Sequence, residues 1–144
     1  MIEMRQPHVV DAPAIAELLE SLGYLGTVSF INERITQLLS HPDEELLVAI
    51  DGDRIIGIIS LHFIPQLALA GDFCRISYFC VAETARGAGV GAMMEERAVN
   101  IARERNSDRI EVHCNSRRVD AHRFYFRQGY AESPKYLLKK LAEI

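Results

Sequence analysis

The stretch that decides the fold runs Phe73-Cys74-Arg75-Ile76-Ser77-Tyr78-Phe79-Cys80-Val81, and five residues later Arg86-Gly87-Ala88-Gly89-Val90-Gly91. The first run is rich in aromatic and β-branched side chains and reads as a strand. The second is a Gly-rich turn. From about Gly89 to Arg105, Val90, Met94, Ala98 and Ile101 fall on one helical stripe. Arg109–Asn115 reads as a further strand, which completes a β-α-β unit. Glycines in such a turn let the backbone approach a ligand, and the N–H groups opening the helix favour an anion. Arg86 adds a fixed charge and a fork of donors suited to phosphate. Two readings fit this segment alone: a pyrophosphate cradle, or a plain strand-to-helix turn with a solvent-exposed Arg86.

Working outward, residues 2–6 read as a short strand and Asp11 as an N-cap. Ile15, Leu18, Leu19 and Leu22 give the first helix its apolar stripe, and Gly23 ends it. A second helix begins near Thr27, carries Ile31, Ile35, Leu38 and Leu39 on one stripe, and stops at Pro42. Leu46–Ile50 and Arg54–Leu61 are strands joined at Asp51-Gly52, a hairpin signal. Residues 64–71 read as an apolar loop that walls a site or simply packs. Beyond the β-α-β unit, Ala121–Gln128 is a helix closed by Gly129, and Tyr136–Leu141 is read as a last strand. The predicted order is β-α-α-β-β-β-α-β-α-β, an α/β (α+β) protein with antiparallel strands leading into one β-α-β unit. No repeat or linker divides the chain, so residues 1–144 are expected to form a single domain.

The 144 residues, 49% hydrophobic and 25% charged, are an ordinary balance for a globular protein with a real core. A net charge of −4 argues against non-specific binding to nucleic acid or anionic lipid. Cys74, Cys80 and Cys114 form no C-x-x-C pair, and their odd number suits a reducing, cytoplasmic compartment. Cys80 and Cys114 lack a partner base in sequence and read as core residues rather than nucleophiles. The five histidines show no tight ligand spacing, so no metal site is expected. No apolar run approaches the length of a membrane span, and no apolar signal segment opens the chain.

Gly87-x-Gly89-x-x-Ala92 also satisfies a dinucleotide fingerprint. That fold needs several more β-α units, and only about fifty residues remain. Its next strand should end on an acidic residue for the ribose, but here it ends on Asn115-Ser116. The dinucleotide reading fails on both counts.

Arg86-x-x-Gly89-x-Gly91, after a strand ending Phe79-Cys80-Val81, resembles the coenzyme A loop of the GCN5-related N-acetyltransferases (GNAT). A second match follows in Asn115-x-x-Arg118-x-x-Ala121-His122-x-Phe124-Tyr125-x-x-x-Gly129-Tyr130. The predicted element order matches the family throughout, while residue-level similarity is confined to about residues 76–141. Within it, Asp120-Ala121-His122-Arg123-Phe124-Tyr125 is similar to the aminoalkylphosphonate N-acetyltransferases. The N-terminal half supports no substrate assignment.

The resemblance implies the GNAT fold, a mixed and mostly antiparallel central sheet with helices on both faces. It also implies acetyl-coenzyme A as cosubstrate and direct transfer of acetyl to a primary amine of a small molecule. Gly87, Ala88, Gly89, Val90 and Gly91 would hold the pyrophosphate beside Arg86, and Phe79 and Val81 would offer backbone groups to the pantetheine arm. A backbone N–H there would also stabilise the oxyanion. Asn115 matches a position near that arm, or else caps the next turn, and Arg118 is a further phosphate candidate. Tyr125 matches the tyrosine that protonates the departing sulfur; a phenol titrates near about 10 and stays protonated at neutral pH. The alternative for Tyr125 is core packing beside Phe124 and Phe126. Many relatives pair through sheet edges or C-terminal strands, which makes a homodimer one expected assembly.

The base is the departure. Where many relatives carry a glutamate on the strand before the loop, this chain has Tyr78, a poor base when neutral. Glu111, His113, His62 and Asp72 are the candidates, with a water relay as another route. The missing glutamate leaves open an acyl-coenzyme A-binding module without turnover, and among enzymes an O-acyl acceptor, a protein N-terminus or a lysine is the alternative to a small amine.

Overall fold

The hairpin at Asp51-Gly52 builds the centre of the sheet. A computed structural model describes residues 1–114, 118–133 and 136–142. The chain forms two compact units, Met1–Val112 and His113–Ile144. The first holds strands β1 (Ile2–Arg5), β2 (Glu44–Asp51), β3 (Arg54–Ile64), β4 (Phe73–Val81) and β5 (Arg109–Val112), with helices α1 (Ala12–Ser21), α2 (Ile31–Ser40) and α3 (Val90–Glu104). The strands lie in chain order, β1-β2-β3-β4-β5. Every pairing is antiparallel except β4 with β5, which is parallel and therefore needs the α3 crossover.

Alternation along the strands assigns the two faces. Val48, Leu46, Ile58 and Cys80 pack with Ala12, Ile15 and Leu18 of α1 and Ile31 and Ile35 of α2. On the opposite face a Cβ at Gly57 would meet Met94 of α3, so α3 covers that side. Phe63, Ile59 and Leu61 are fully buried, and the Arg105 guanidinium sits 3.9 Å from the Phe63 ring centroid. Among the described residues, no helix is long and apolar enough to cross a membrane.

The second unit contains α4 (Val119–Arg127). It closes with Tyr130 N–H donating to the Tyr125 carbonyl and Gly129 N–H to that of Phe126, each at 3.0 Å.

Several expectations need correction. Asp11 is the N-cap residue of α1 as expected, but its side chain makes no capping hydrogen bond to that helix. Its carboxylate instead accepts from the His8 N–H at 2.8 Å and from Arg5 Nη1 at 2.7 Å, fastening a 3-10 turn to β1. Thr27–Ser29 is a separate 3-10 turn, so α2 starts at Ile31. β5 ends at Val112, short of the predicted Asn115, which itself lies outside the described residues. Residues 136–142 form no strand. Adjacent Leu137-Leu138 followed by Lys139-Lys140 breaks the period of two, so neither face of such a strand would be consistently apolar.

A Cβ at Gly71 would lie 2.6 Å from the Asn106 carbonyl oxygen and 2.7 Å from the Asp108 nitrogen, both backbone atoms that cannot swing aside. Gly71→Ala is therefore expected to destabilise by about 1–3 kcal/mol, read as a lower urea midpoint. Gly57→Ala should cost less, because the nearest atom, Met94 Sδ at 2.7 Å, ends a flexible side chain. The Arg5 hydrogen bond holds the Asp11 carboxyl below its usual range, against an opposing push from burial. Its contribution is thus complete above the unfolded carboxylate value of about 3.9 and fades as pH falls through the folded value. Thermal melts of Asp11→Asn should show a clear deficit at neutral pH that narrows as the pH falls below the ordinary carboxylate range.

Candidate active site

β4 carries the site because its two edges are used differently along its length. From Phe73 to Ile76 it pairs with β3 on one side and with β5 on the other. From Ser77 to Val81 only the β3 side is paired among the described residues, with Phe79 opposite Ile59 and Val81 opposite Gly57. Phe79 and Val81, the residues expected to meet a pantetheine arm, thus lie on the stretch whose outer edge has left β5. The register also slips there. Ser60 faces Tyr78 while Leu61 faces Ile76, so Ser77 is the extra residue of a β-bulge.

After β4 the chain makes one 3-10 turn, Glu83–Ala85, and enters the Gly-rich loop. Gly87 and Gly89 have φ of 85° and 80°, the left-handed region that suits glycine, and Gly89 is the N-cap of α3. A Cβ at either would meet no atom within 4 Å, so open space lies beside the backbone of the loop. Arg86, Gly87, Ala88 and Gly89 are exposed, while Val90 is buried and anchors the helix start. Arg86 Nε donates to the Val81 carbonyl at 3.4 Å, tying the guanidinium to the end of β4. Gly91 opens the first turn of α3, where backbone N–H groups lack intrahelical partners by geometry. Backbone N–H groups at a helix start beside a guanidinium are donors of the kind that suit an anion.

The remaining expected residues belong to the second unit or lie outside the description. Tyr125 is on α4 and buried, its ring edge-on to Phe124 and Tyr130 at 5.3 Å each. Arg118 is exposed and directly precedes α4, and its charge partly offsets the upward push of burial on the Cys114 thiol. Asn115 lies outside the described residues. Cys74 is buried and its thiol is pushed up to about 12 by desolvation, which makes it inert. Cys80 packs under α1, with Sγ 3.4 Å from the Leu18 carbonyl.

The structure adds a feature that periodicity did not reveal. In register across four strands stand Glu44, His62, Arg75 and Glu111. They share the α1/α2 face of the sheet, since His62 is two residues from Ser60 and four from Ile58 on β3. His62 Nδ1 lies 2.7 Å from Glu44 Oε1, and Arg75 Nη2 lies 2.6 Å from Glu111 Oε1. The same face carries Tyr78, whose ring meets Tyr24 edge-on at 5.3 Å. Burial, followed by Tyr24, raises the Tyr78 phenol above its ordinary value, which removes it further from base chemistry. Tyr24 was missed because it stands in the turn after α1, outside any periodic run.

Comparison with known proteins agrees with this arrangement. The sequence matches the acetyltransferase (GNAT) family over residues 14–130. It is 33% identical over 95 residues to the aminoalkylphosphonate N-acetyltransferase of Salmonella typhimurium, a match covering 66% of this chain and 62% of that protein. Among solved structures, a transcriptional regulator from Bacillus halodurans C-125 superposes with a TM-score of 0.88 at 23% identity, over 98% of this chain and 100% of the other. Glucosamine-6-phosphate N-acetyltransferase from Arabidopsis thaliana gives 0.86 at 18% identity, over 99% of each chain. These two likenesses establish the shared fold, and the family match extends across the β4 edge, the Gly-rich loop and α4. The chain belongs to the GNAT acetyltransferase family.

Proposed function

We propose that the chain is an N-acetyltransferase that moves acetyl from acetyl-coenzyme A to a primary amine of a small molecule, with residues 1–144 acting as one catalytic domain. The observation that carries this reading is the open loop at Gly87 and Gly89, set between the unpaired end of β4 and the start of α3. The Salmonella relative is named for acetylating aminoalkylphosphonates, which favours a small amine as acceptor. Three free cysteines suit a reducing cytoplasmic setting.

In this reading Arg86 and the backbone N–H groups of Gly87 through Gly91, with Ala88 and Val90 between them, hold the pyrophosphate. The outer edge of Phe79 and Val81 lines the pantetheine arm, and Asn115 and Arg118 complete the cofactor contacts. The cosubstrate supplies an activated acyl carbon, and the chain's own residues orient it and manage protons. A backbone N–H on the unpaired edge of β4 offers a hydrogen bond to the developing oxyanion. Tyr125 donates its phenolic proton to the departing sulfur.

Calorimetry tests the cofactor half directly. Wild type should bind acetyl-coenzyme A with micromolar affinity. Gly89→Asp should weaken that by about tenfold or more, because it sets a carboxylate in an anion site at a left-handed φ. No binding by folded wild type would remove the proposal. Tyr125→Phe separates the acid from packing: kcat should fall by roughly 10²–10⁴ with cofactor affinity nearly intact. Full turnover by that variant would return Tyr125 to the core.

A further inference from the structure

Resting on that reading, we propose that His62, held beside Glu44, is the base that takes the proton from the attacking amine. The fold sorts the candidates. Glu111 is pinned by Arg75, whose Nε and Nη2 both reach Oε1, at 2.7 Å and 2.6 Å. Accepting a proton there would break that pairing. Asp72 precedes β4, five residues from the bulge at Ser77 and so about 16 Å away along a strand. The His113 ring packs against that of Tyr136, their centroids 4.3 Å apart. Tyr78 stays protonated.

His62 differs from all of these. It stands opposite Arg75, two residues before the bulge, on the same face as Tyr78. Ser60 faces Tyr78 directly, so His62 is the next residue of that face along β3. The His62 imidazole is thus the diagonal neighbour of Tyr78 across the bulge. The His62 side chain is 38% exposed and the Glu44 side chain only 14%. Glu44 Oε1 stays 2.7 Å from Nδ1, off the straight line of a hydrogen bond, and Oε2 is buried with no hydrogen-bond partner among the described residues. A buried carboxylate is costly unless a positive charge forms beside it. Burial pushes the Glu44 carboxyl above its ordinary value, and positive charge on His62 opposes that push.

Other charges around His62 are accounted for. His41 closes α2 with its ring 6.2 Å away, and Asp43 lies ahead of β2, bound to Arg105 at 3.1 Å. Arg75 on β4 is matched by Glu111 on β5. Glu44 is left as the carboxylate beside the imidazole.

The step balances. The amine nitrogen's lone pair forms the N–C bond as the carbonyl π pair moves to oxygen. Collapse of that oxyanion breaks the C–S bond, and the sulfur takes the Tyr125 proton. His62 takes the N–H proton, directly or across one water, and returns it to solvent, from which the Tyr125 phenolate regains one, so the net transfer is one proton from nitrogen to sulfur.

The test compares wild type, His62→Gln and Glu44→Gln in three measurements. These are acetyl-coenzyme A calorimetry, turnover of aminoethylphosphonate, spermidine and glucosamine against pH, and NMR titration of the His62 ring proton in the free protein. His62→Gln should bind acetyl-coenzyme A like wild type and lose roughly 10²–10⁴ in kcat/KM. It should also lose the acidic limb of the profile, keeping only the rise that follows the amine's own titration near about 10. In Glu44→Gln the limb should move to lower pH, since the imidazolium loses its carboxylate, and the NMR titration should move by the same amount. If His62→Gln does not fold, that coincidence carries the test. An unchanged rate and limb in His62→Gln, or a limb that stays while the NMR titration moves, would overturn His62 and leave the transferase reading standing. Wild type that binds acetyl-coenzyme A but acetylates none of the amines would overturn both.

Discussion

Because β5 runs parallel to β4, the chain must return the length of the sheet between them, and α3 is that return. The crossover has to begin beyond the end of β4, which places the N-terminus of a 15-residue helix next to the last residues of that strand. Both features of the proposed cofactor site follow from this one parallel pair. The Gly-rich turn sits at the start of the crossover, and among the described residues the outer edge of β4 from Ser77 onward is unpaired because β5 stops at Val112. An antiparallel neighbour joined by a short hairpin would have provided neither the helix start nor the open edge.

The strands and helices of the first unit were legible because their faces are unambiguous. Ile31, Ile35, Leu38 and Leu39 leave one stripe for α2, and the run from Phe73 to Val81 gave β4 its observed ends. The sequence failed where local chemistry had two uses. Asp11 looks like a helix cap, yet Arg5 and the His8 N–H compete for its carboxylate and win. Tyr136–Leu141 has strand composition without strand alternation, and alternation decides. At the site, the Gly-rich loop was readable because the conformations of Gly87 and Gly89 require that residue type. The polar row was not readable, since Glu44, His62, Arg75 and Glu111 are scattered over 68 positions and meet only through strand register.

That register depends on one residue. Along β4, Tyr78 and Cys80 face α1 and α2, and strict alternation would send Ile76 and Cys74 to the same side. Arg75 would then point toward α3, into the layer that holds Phe63 and Leu61. The bulge at Ser77 inserts one position and exchanges the faces below it. Cys74 and Ile76 pass to the α3 side, where both are buried. Arg75 comes to the α1/α2 side between His62 and Glu111, and a charge that the core could not have accepted becomes part of the polar row. The bulge coincides with the point where β4 leaves β5, so it delivers charged groups next to the strand's outer edge. A regular strand at this place would bury Arg75 and expose Ile76. The extra residue is thus a condition for having a hydrophobic layer under α3 and a polar face opposite it at once.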